Sequence, residues 1–500
     1  MSSVHQPVPQ LRRRRLGVIH LLFFTVAASA PLTVLGGGVT TTFAVTGNAG
    51  VPLSFLVLAV ALALFAVGYA AMSRHVANAG AFYSYLAQGL GPRWAVSGSF
   101  VALLSYNAIQ IGLYGLFGAS LAGFLSSTFG ITLPWWALAV AALIVVGALG
   151  VLRVDLNARV LAVLLILECI IVALYDISAF GHPAGGSVSF AGLTPSNLFT
   201  PTVGAVFAFS IAGFIGFESG AIYSEECRNP RVTVARATFA ALTFTGLFYA
   251  LSAWAMTVNV GAENLQAEAG TKQADLVFSV LAQNWGGGIS VLGNLLFLTS
   301  VFAALLSFHN GVARYLFALG RERVLLAAFS RVGAASGGPL TGSLAQSALA
   351  IVVVVAFAIF GADPVLQLFT WFSGTSAVGV VLLMAVTSVA VVGYFRRHRD
   401  AASTWQGLVA PVLATIVLFA IVAILVINFD VLMGSSDPGW FERGFFPGLM
   451  LVVALLGLGW AAVIKRNKPA VYKRIGQTAM APEVVEPKIQ LNVPTPPRAG

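Results

Sequence analysis

Apolar residues dominate long stretches of the chain, and short polar connections separate these stretches. A helix needs about 20 mostly apolar residues to cross the hydrocarbon core of a membrane. The pattern therefore predicts an all-α integral membrane protein with twelve transmembrane helices and no room for a soluble domain between them. The predicted spans are roughly 17–46, 51–72, 94–126, 134–151, 157–178, 201–224, 236–259, 287–319, 339–361, 364–394, 408–428 and 444–464.

The composition supports this assignment. Hydrophobic residues make up 58% of the 500 positions, charged residues only 9%, and the mean hydropathy is +0.91. A soluble domain of this length would need more charged residues to cover its surface. The two cysteines, Cys169 and Cys227, fall in a helix and in a loop without metal-ligand partners nearby, so we expect neither a disulfide nor a metal site.

The formal net charge of +10 could indicate nucleic-acid binding, but its distribution indicates membrane topology instead. Basic residues cluster in alternate connections: residues 12–15, Arg74, Arg153, Arg159, Arg228, Arg231, Arg236, Arg321, Arg323, Arg331, Arg396, Arg397, Arg399, Lys465, Arg466, Lys468, Lys473 and Arg474. The opposite connections hold only Lys272 and Arg443, against Asp176, Glu263, Glu268, Asp275, Asp363, Asp430, Asp437 and Glu442. This positive-inside pattern predicts a multi-pass plasma-membrane protein with both termini in the cytosol. The basic excess then faces lipid headgroups rather than nucleic acid.

The two ends of the chain are predicted to be cytosolic tails, 1–15 and 465–500, and the second is proline-rich and expected to be disordered. A signal peptide is an alternative for the N-terminus, because residues 12–15 (RRRR), an apolar stretch and residues 28–30 (ASA) imitate one. The even helix count and the loop charges favour a retained first span.

Two of the predicted helices are interrupted. In the sixth, small residues break the apolar stretch at Ala212, Gly213, Gly216 and Gly220, and Glu218 lies beside the break. In the first, residues 30–33 (APLT) and 34–38 (VLGGG) interrupt the helix. A proline-kinked helix without function would explain the first break alone. Breaks at matching places in two halves of the chain instead indicate a transporter site.

The chemistry of such breaks favours a zwitterion. Each second half-helix begins with free N–H groups and a positive dipole end, which suit a carboxylate. The carbonyls that end each first half-helix suit an ammonium group. A free amino acid carries both groups on one carbon, whereas an amine matches the cationic part alone.

The motifs resemble those of the amino acid–polyamine–organocation (APC) transporter superfamily over roughly residues 15–395. Glu218, residues 226–230 (ECRNP) and Arg236 resemble its sixth-helix signature. Residues 78–85 (NAGAFYSY) and 310–322 (NGVARYLFALGRE) resemble its loop after helix two and the end of helix eight. The resemblance implies a leucine-transporter-like fold of five-plus-five inverted repeats, 16–180 and 200–395, followed by two further helices in 405–464. It also implies transport of amino acids by alternating access. An integral-membrane enzyme is not expected, because the sequence shows no metal-spaced histidine pair, no nucleophile elbow and no phosphate loop.

The chain departs from this family at two places. Residues 31–33 (PLT) stand where many members have a Gly-Ser-Gly break, so that one amide is lost at Pro31. Glu168 stands near the position where proton-coupled members often carry a lysine in helix five. The second departure leaves the coupling ion open between a proton and Na⁺.

These observations give a set of candidate site residues. Backbone around the breaks is predicted to bind the substrate, at Ala30, Pro31, Leu32, Thr33, Ala212, Gly213, Phe214 and Ile215. Phe214 and Phe209 are candidate gates. Helix three also carries Tyr106, Asn107, Gln110 and Tyr114, for which ordinary helix packing is the alternative to a contact with substrate. The cytosolic motif consists of Glu226, Asn229, Pro230 and Arg236, which together with neighbouring arginines form either an inner gate of ion pairs or a lipid contact. His309, near a helix end, is expected to pack at the membrane interface.

Glu168 and Glu218 are the acidic residues expected well inside the hydrocarbon. An ionised carboxylate there costs at least ~2.5 kcal/mol, so each should be protonated, paired or exposed to a water-filled cavity. Both are candidate coupling sites for a proton or Na⁺. The alternatives are an uncharged Glu168 that bonds a neighbouring helix, and a Glu218 that only caps freed backbone N–H groups.

We therefore expect proton-coupled symport of neutral amino acids. An amino acid or polyamine exchanger and a Na⁺-coupled symporter are alternatives on the same fold. A channel or nutrient sensor fits less well, because the sequence shows no ring of polar pore residues. No cofactor is expected beyond the coupling ion, and the sequence does not predict an oligomeric state.

Overall fold

A computed structural model describes residues 17–76, 82–152, 158–218, 227, 229–333, 336–434 and 439–476 of the chain. Helices make up most of this part. In chain order they are α1 (Val18–Ser29), α2 (Pro31–Thr33), α3 (Thr40–Thr46), α4 (Val51–Ser73), α5 (Phe82–Leu90), α6 (Pro92–Phe129), α7 (Trp135–Leu152), α8 (Ala158–Gly181), α9 (Pro195–Leu198), α10 (Val203–Phe214), α11 (Pro230–Val260), α12 (Leu265–Lys272), α13 (Asp275–Trp285), α14 (Gly287–Arg321), α15 (Leu340–Ile359), α16 (Thr370–Arg397), α17 (Ala410–Ile427), α18 (Phe429–Met433), α19 (Trp440–Asn467) and α20 (Pro469–Arg474). Stretches of π-helix at Val34–Val39, Pro364–Phe369 and Trp405–Val409 lead directly into α3, α16 and α17.

Ten helical segments of the described residues are long and apolar enough to cross a membrane. They correspond to α4, α6, α7, α8, α11, α14, α15, α16, α17 and α19, and they coincide with ten of the twelve predicted spans. A helix satisfies its own backbone groups, which lipid cannot do, so a long apolar stretch in a membrane is held in this form. The chain is thus an all-helical, multi-pass membrane protein.

The other two predicted spans, 17–46 and 201–224, are not continuous helices. In the first, α1 ends at Ser29, Ala30 adopts φ +49°, and helical structure resumes at Pro31. In the second, α10 ends at Phe214, and Gly216 follows with φ +119°, a conformation that glycine adopts without strain. Residues 219–226 lie outside the described part. The arrangement into two inverted repeats, 16–180 and 200–395, stays a prediction.

The interrupted segments lie inside the helix bundle. α1 packs against α8, α11 and α14, α2 packs against α8 and α14, and α10 packs against α4, α16 and α17. Every residue of α10 from Gly204 to Phe214 is buried except Ala212. By contrast, α15, α17 and α19 expose large apolar side chains, including Val352, Ile416 and Leu451, which face lipid in a membrane.

The C-terminal end departs from the expected disordered tail. α19 continues to Asn467, and α20 follows it. Ile475 is buried, and the amide of Gly476 donates to a carboxylate oxygen of Glu322 at 2.8 Å. The first part of 465–500 is therefore structured, because these contacts attach it to the bundle. Residues 1–15 and 477–500 lie outside the described residues.

Candidate functional site

A small cavity lies where α1 and α10 end. Its volume is about 40 Å³, room for a few water molecules or a small ligand group. It is lined by Ser29, Ala30, Thr33, Val34, Gly38, Ile109, Leu113, Phe209, Ala212, Gly213, Ala304, Phe308 and Phe369. No charged side chain is among these described lining residues. Apolar groups, two hydroxyls and the backbone at two helix ends therefore form the surface available to a ligand.

The cavity brings together half of the predicted substrate-binding residues. Four of the eight line it: Ala30, Thr33, Ala212 and Gly213. The other four are buried at the same helix ends without lining it: Pro31, Leu32, Phe214 and Ile215. Whether substrate contacts any of the eight stays a prediction.

The end of α1 is shaped by Ala30 and Pro31. The amide of Ala30 donates to the carbonyl of Val26 at 2.9 Å and closes the helix. Pro31 has no N–H, so the first amide after the interruption belongs to Leu32. That amide donates to Oε2 of Glu168 at 3.5 Å. The Leu32 amide, which we expect to contact substrate, therefore already donates a hydrogen bond to the carboxyl group of Glu168.

Glu168 connects α8 with the first interrupted helix. Its side chain is buried, and Oε2 also accepts a hydrogen bond from Ser300 Oγ at 2.7 Å. The hydroxyl of Thr33 donates to the same Ser300 oxygen at 3.1 Å. Because Thr33 lines the cavity, two hydroxyl groups connect this carboxyl group with the cavity wall.

Glu218 stabilises the interrupted end of α10. Its side chain is buried, Oε1 accepts from the Tyr106 hydroxyl at 2.7 Å, and Oε2 accepts from the Gly216 amide at 3.0 Å. The hydroxyl of Tyr69 donates to its main-chain carbonyl at 3.1 Å. Glu218 therefore binds a backbone N–H freed by the helix end, as in the capping alternative. A coupling role for this residue stays a prediction.

The two candidate gate residues have different surroundings. Phe209 lines the cavity. Phe214 is buried against Phe55, with 5.9 Å between the ring centroids. The rings of Phe308 and Phe369 also line the cavity, so three aromatic side chains, none of them Phe214, are placed where a ligand would meet them. Gating by Phe209 or Phe214 stays a prediction.

Sequence reasoning missed the two walls that α6 and α14 contribute. Ile109 and Leu113 are four residues apart, as are Ala304 and Phe308, so each pair faces the cavity from one side of its helix. These residues are apolar and stand in apolar helices. No polar or small-residue signal separates them from the lipid-facing positions around them.

The cytosolic motif is only partly described. Glu226 lies outside the described residues. Asn229 and Pro230 start α11, where the carbonyl of Asn229 accepts the Thr233 amide at 2.9 Å, and Pro230 takes the first helical position, which tolerates its missing N–H. Arg236 is an exposed residue of the same helix. The inner gate of ion pairs stays a prediction.

Residues that bind metals do not cluster in the described part of the chain, where no group of three His, Cys, Asp or Glu side chains is placed to hold an ion. Neither Cys169 nor Cys227 takes part in a disulfide bond.

A buried polar network lies directly behind the cavity. His309 is 1% exposed, and its Nε2 lies 2.6 Å from Ser343 Oγ while its Nδ1 lies 3.4 Å from the amide nitrogen of Gln110. The Gln110 amide is a donor, so Nδ1 accepts and Nε2–H donates to Ser343. Gln346 donates to the carbonyl oxygen of Gln110. The interfacial position expected for His309 is therefore wrong, because polar partners on α6 and α15 hold it in the interior.

We expect His309→Leu to lower stability. The substitution removes one hydrogen-bond partner from Ser343 and one from Gln110, which keep weaker contacts to the Gly147 carbonyl and the Tyr114 hydroxyl. Each lost hydrogen bond costs about 0.5–1.5 kcal/mol. The midpoint of thermal unfolding in detergent measures the change. His20→Leu is the matched control, since His20 is exposed. Equal midpoints for the two variants would show that the network contributes no stability.

Comparisons with known proteins all find similarity to membrane transporters of amino acids or amines. Residues 16–455 match the family described as Amino acid permease. The branched-chain amino acid permease BcaP of Bacillus subtilis is 26% identical over 346 residues, which cover 64% of this chain and 70% of that protein. Cationic amino acid transporter 4 of Mus musculus is 29% identical over 353 residues, which cover 66% of this chain and 53% of that protein. The low-affinity putrescine importer PlaP of Escherichia coli is 21% identical over 331 residues, which cover 63% of this chain and 69% of that protein.

Proposed function

The chain belongs to the amino acid permease family, and on this basis we propose that it is a secondary active transporter for neutral amino acids, driven by proton symport. It alternates between an outward-open and an inward-open state around one central site. Its fold is the five-plus-five inverted repeat with helices one and six broken, followed by two further helices. It lies in the plasma membrane with both termini in the cytosol.

The cavity between the ends of α1 and α10 is the observation that carries the proposal. Backbone from two interrupted helices meets there in the interior of the bundle, and buried carboxyl groups lie beside both helix ends. Irregular backbone at membrane depth is stable only where protein or a cavity surrounds it. Interrupted helices that meet in this way are typical of substrate sites in transporters.

The lining of the cavity favours a neutral substrate. A lysine side chain or a diamine would place a second positive charge in the cavity, and no carboxylate is among the described residues that line it. An unpaired charge in such a site is costly. The relatives that are named for cationic amino acids and putrescine make a cationic substrate the alternative.

Proton coupling is proposed from the position of Glu168. Its carboxyl group bonds the amide of Leu32 at the interrupted helix and lies two hydroxyl groups away from the cavity. A change in its protonation would therefore act on the helix end that borders the substrate. Na⁺ is the alternative ion, since carboxylate and carbonyl oxygens bind it as well.

Reconstitution tests the proposal. Purified protein is placed in proteoliposomes with an acidic exterior and a neutral interior in Na⁺-free buffer, and uptake of labelled alanine, leucine, lysine and putrescine is measured. We expect saturable, gradient-driven uptake of alanine or leucine but not of lysine or putrescine. Thermal unfolding with each compound gives an independent reading, because a ligand that binds the folded state stabilises it. Uptake that ignores the pH gradient but requires Na⁺ would contradict proton coupling.

The proposed topology makes a separate prediction. Glu268 of α12 should be outside the cell and Ala470 of α20 inside. With Cys169 and Cys227 replaced by serine, Glu268→Cys should react with an impermeant thiol reagent in intact cells, whereas Ala470→Cys should react only after lysis. Reaction at position 470 but not at 268 in intact cells would invert the topology.

A further inference from the structure

Several buried polar atoms without partners lie where α1, α8 and α11 pack together. Among the described residues, the hydroxyl groups of Ser29, Tyr175 and Tyr249 and the Oδ1 atom of Asp176 are buried and have no hydrogen-bond partner. Buried polar groups are almost always paired, with protein or with ordered water, so a group of exceptions in one place requires an explanation. The central site uses only one of these side chains, that of Ser29.

Asp176 is the outermost member of this group. The charge pattern assigns it to an outer loop, but the residue is 6% exposed and lies in α8. The hydroxyl of Ser252 on α11 donates to its Oδ2 at 3.0 Å. Asp176 follows Glu168 by eight residues on the same helix, a rise of about 12 Å. In the proposed topology α8 runs outward, so Asp176 lies between Glu168 and the cell exterior.

Tyr249 lies between these two carboxyl groups. It precedes Ser252 by three residues on α11, so the two side chains share one face of that helix. Its helix packs against both α8, which carries Glu168, and α1, which ends at Ser29. The hydroxyl groups of Tyr249 and Ser29 are both buried without a hydrogen-bond partner. Ser29 in turn lines the central cavity.

We propose that Asp176, Ser252, Tyr249 and Ser29 form a hydrated path that carries the coupling proton from the outer side to Glu168 and the central cavity. The inference rests on the proposed proton symport and adds the route. Water fits the unpartnered atoms, since buried water bonds two to four polar groups that are otherwise unsatisfied. The class of ligand is therefore a proton carried by water and hydroxyl groups.

The transfer leaves no charge on the hydroxyl groups. Asp176 takes a proton from outside water and gives it to the first bridging water, each hydroxyl accepts one proton and donates another, and the last proton is bound by Glu168. The titratable groups that face the path are Tyr175 and Cys169 from α8 and Tyr249 from α11. His182 lies beyond it, exposed at the outer end of α8, with Nδ1 3.0 Å from the Ser178 carbonyl.

Two conservative substitutions test the path. Asp176→Asn removes the titratable group, and Tyr249→Phe removes the hydroxyl while keeping the ring. Thr257→Val is the control, because Thr257 is also buried on α11 but donates only within its own helix, to Ala253 at 3.0 Å. Wild type and the three variants are reconstituted, and three quantities are measured: substrate binding without a gradient, substrate exchange at equal pH, and proton influx with uptake under a pH gradient.

We expect Asp176→Asn and Tyr249→Phe to slow gradient-driven uptake and proton influx at least tenfold, with binding and exchange within about twofold of wild type and Thr257→Val unchanged throughout. If the wild type is driven by the gradient and both variants match the control, the path is overturned while symport stands. If binding and exchange fall in step with uptake, the residues serve the fold, and the path is overturned. A wild type that ignores the gradient overturns both proposals.

Discussion

Gly213→Val is expected to abolish substrate binding while the protein still folds. A Cβ atom at this position would lie 3.1 Å and 3.3 Å from the two methyl groups of Val34 and 3.5 Å from the ring of Phe55. The remaining methyl groups of valine would extend from the wall of a cavity of about 40 Å³. Overpacking of this kind costs about 1–3 kcal/mol, which a large bundle tolerates but a ligand that needs the same space does not.

Binding of labelled amino acid to purified protein measures the effect, with the thermal midpoint as a check on folding. Gly311→Val is the matched control, because an added Cβ in this part of α14 meets no atom within 4 Å. The control should bind like wild type. If Gly213→Val binds with unchanged affinity, the substrate site is elsewhere.

Glu168→Gln and Glu218→Gln are expected to have different effects on transport and on structure. At Glu168 a single oxygen, Oε2, accepts from both Ser300 and Leu32, so the one carbonyl oxygen of glutamine can keep both hydrogen bonds. At Glu218 the two oxygens accept from two different donors, Tyr106 and Gly216, and glutamine can keep only one of these bonds. Glu168→Gln should therefore lose titration but keep structure, whereas Glu218→Gln should disturb the end of α10.

The measurement separates driven uptake from exchange. Glu168→Gln should lose uptake driven by an acidic exterior and retain substrate exchange at equal pH. Glu218→Gln should lose a large part of both, since its altered helix end borders the cavity. Wild-type uptake should rise as external pH falls, because more of the coupling group is then protonated on the outer side. Gradient-driven uptake at the wild-type rate in Glu168→Gln would exclude this residue as the coupling group.

The membrane helices were predictable because their signal is local. Twenty apolar residues in a row have one stable form in lipid, and ten of the predicted spans coincide with helices in the described part of the chain. The helix ends near Ala30 and Gly216 also have local causes, namely a proline without an N–H and a glycine at positive φ. The repeat symmetry depends on how distant helices are arranged, and no local pattern fixes that.

The surroundings of each site residue were less predictable. Glu168 and Glu218 stood out because charge is rare in apolar helices, but their partners Ser300 and Tyr106 lie 132 and 112 residues away. The charge pattern predicts a loop position for Asp176, which stands near the end of a hydrophobic stretch, whereas the structure places it in α8 with Ser252 of the neighbouring α11 bonded to it. Burial of this kind depends on which helices are neighbours, and the sequence of one helix does not contain that information.

The methyl group of Ala30 has a consequence for how substrate range can change. A residue other than glycine at φ +49° raises the backbone energy by about 1 kcal/mol, and glycine would remove that strain. Ala30 also lines the cavity. The residue at position 30 therefore links the stiffness of the helix end with the space left for a ligand. A relative with glycine there would have a wider site and a more flexible helix end. A bulkier residue would make the site smaller and the helix end more strained.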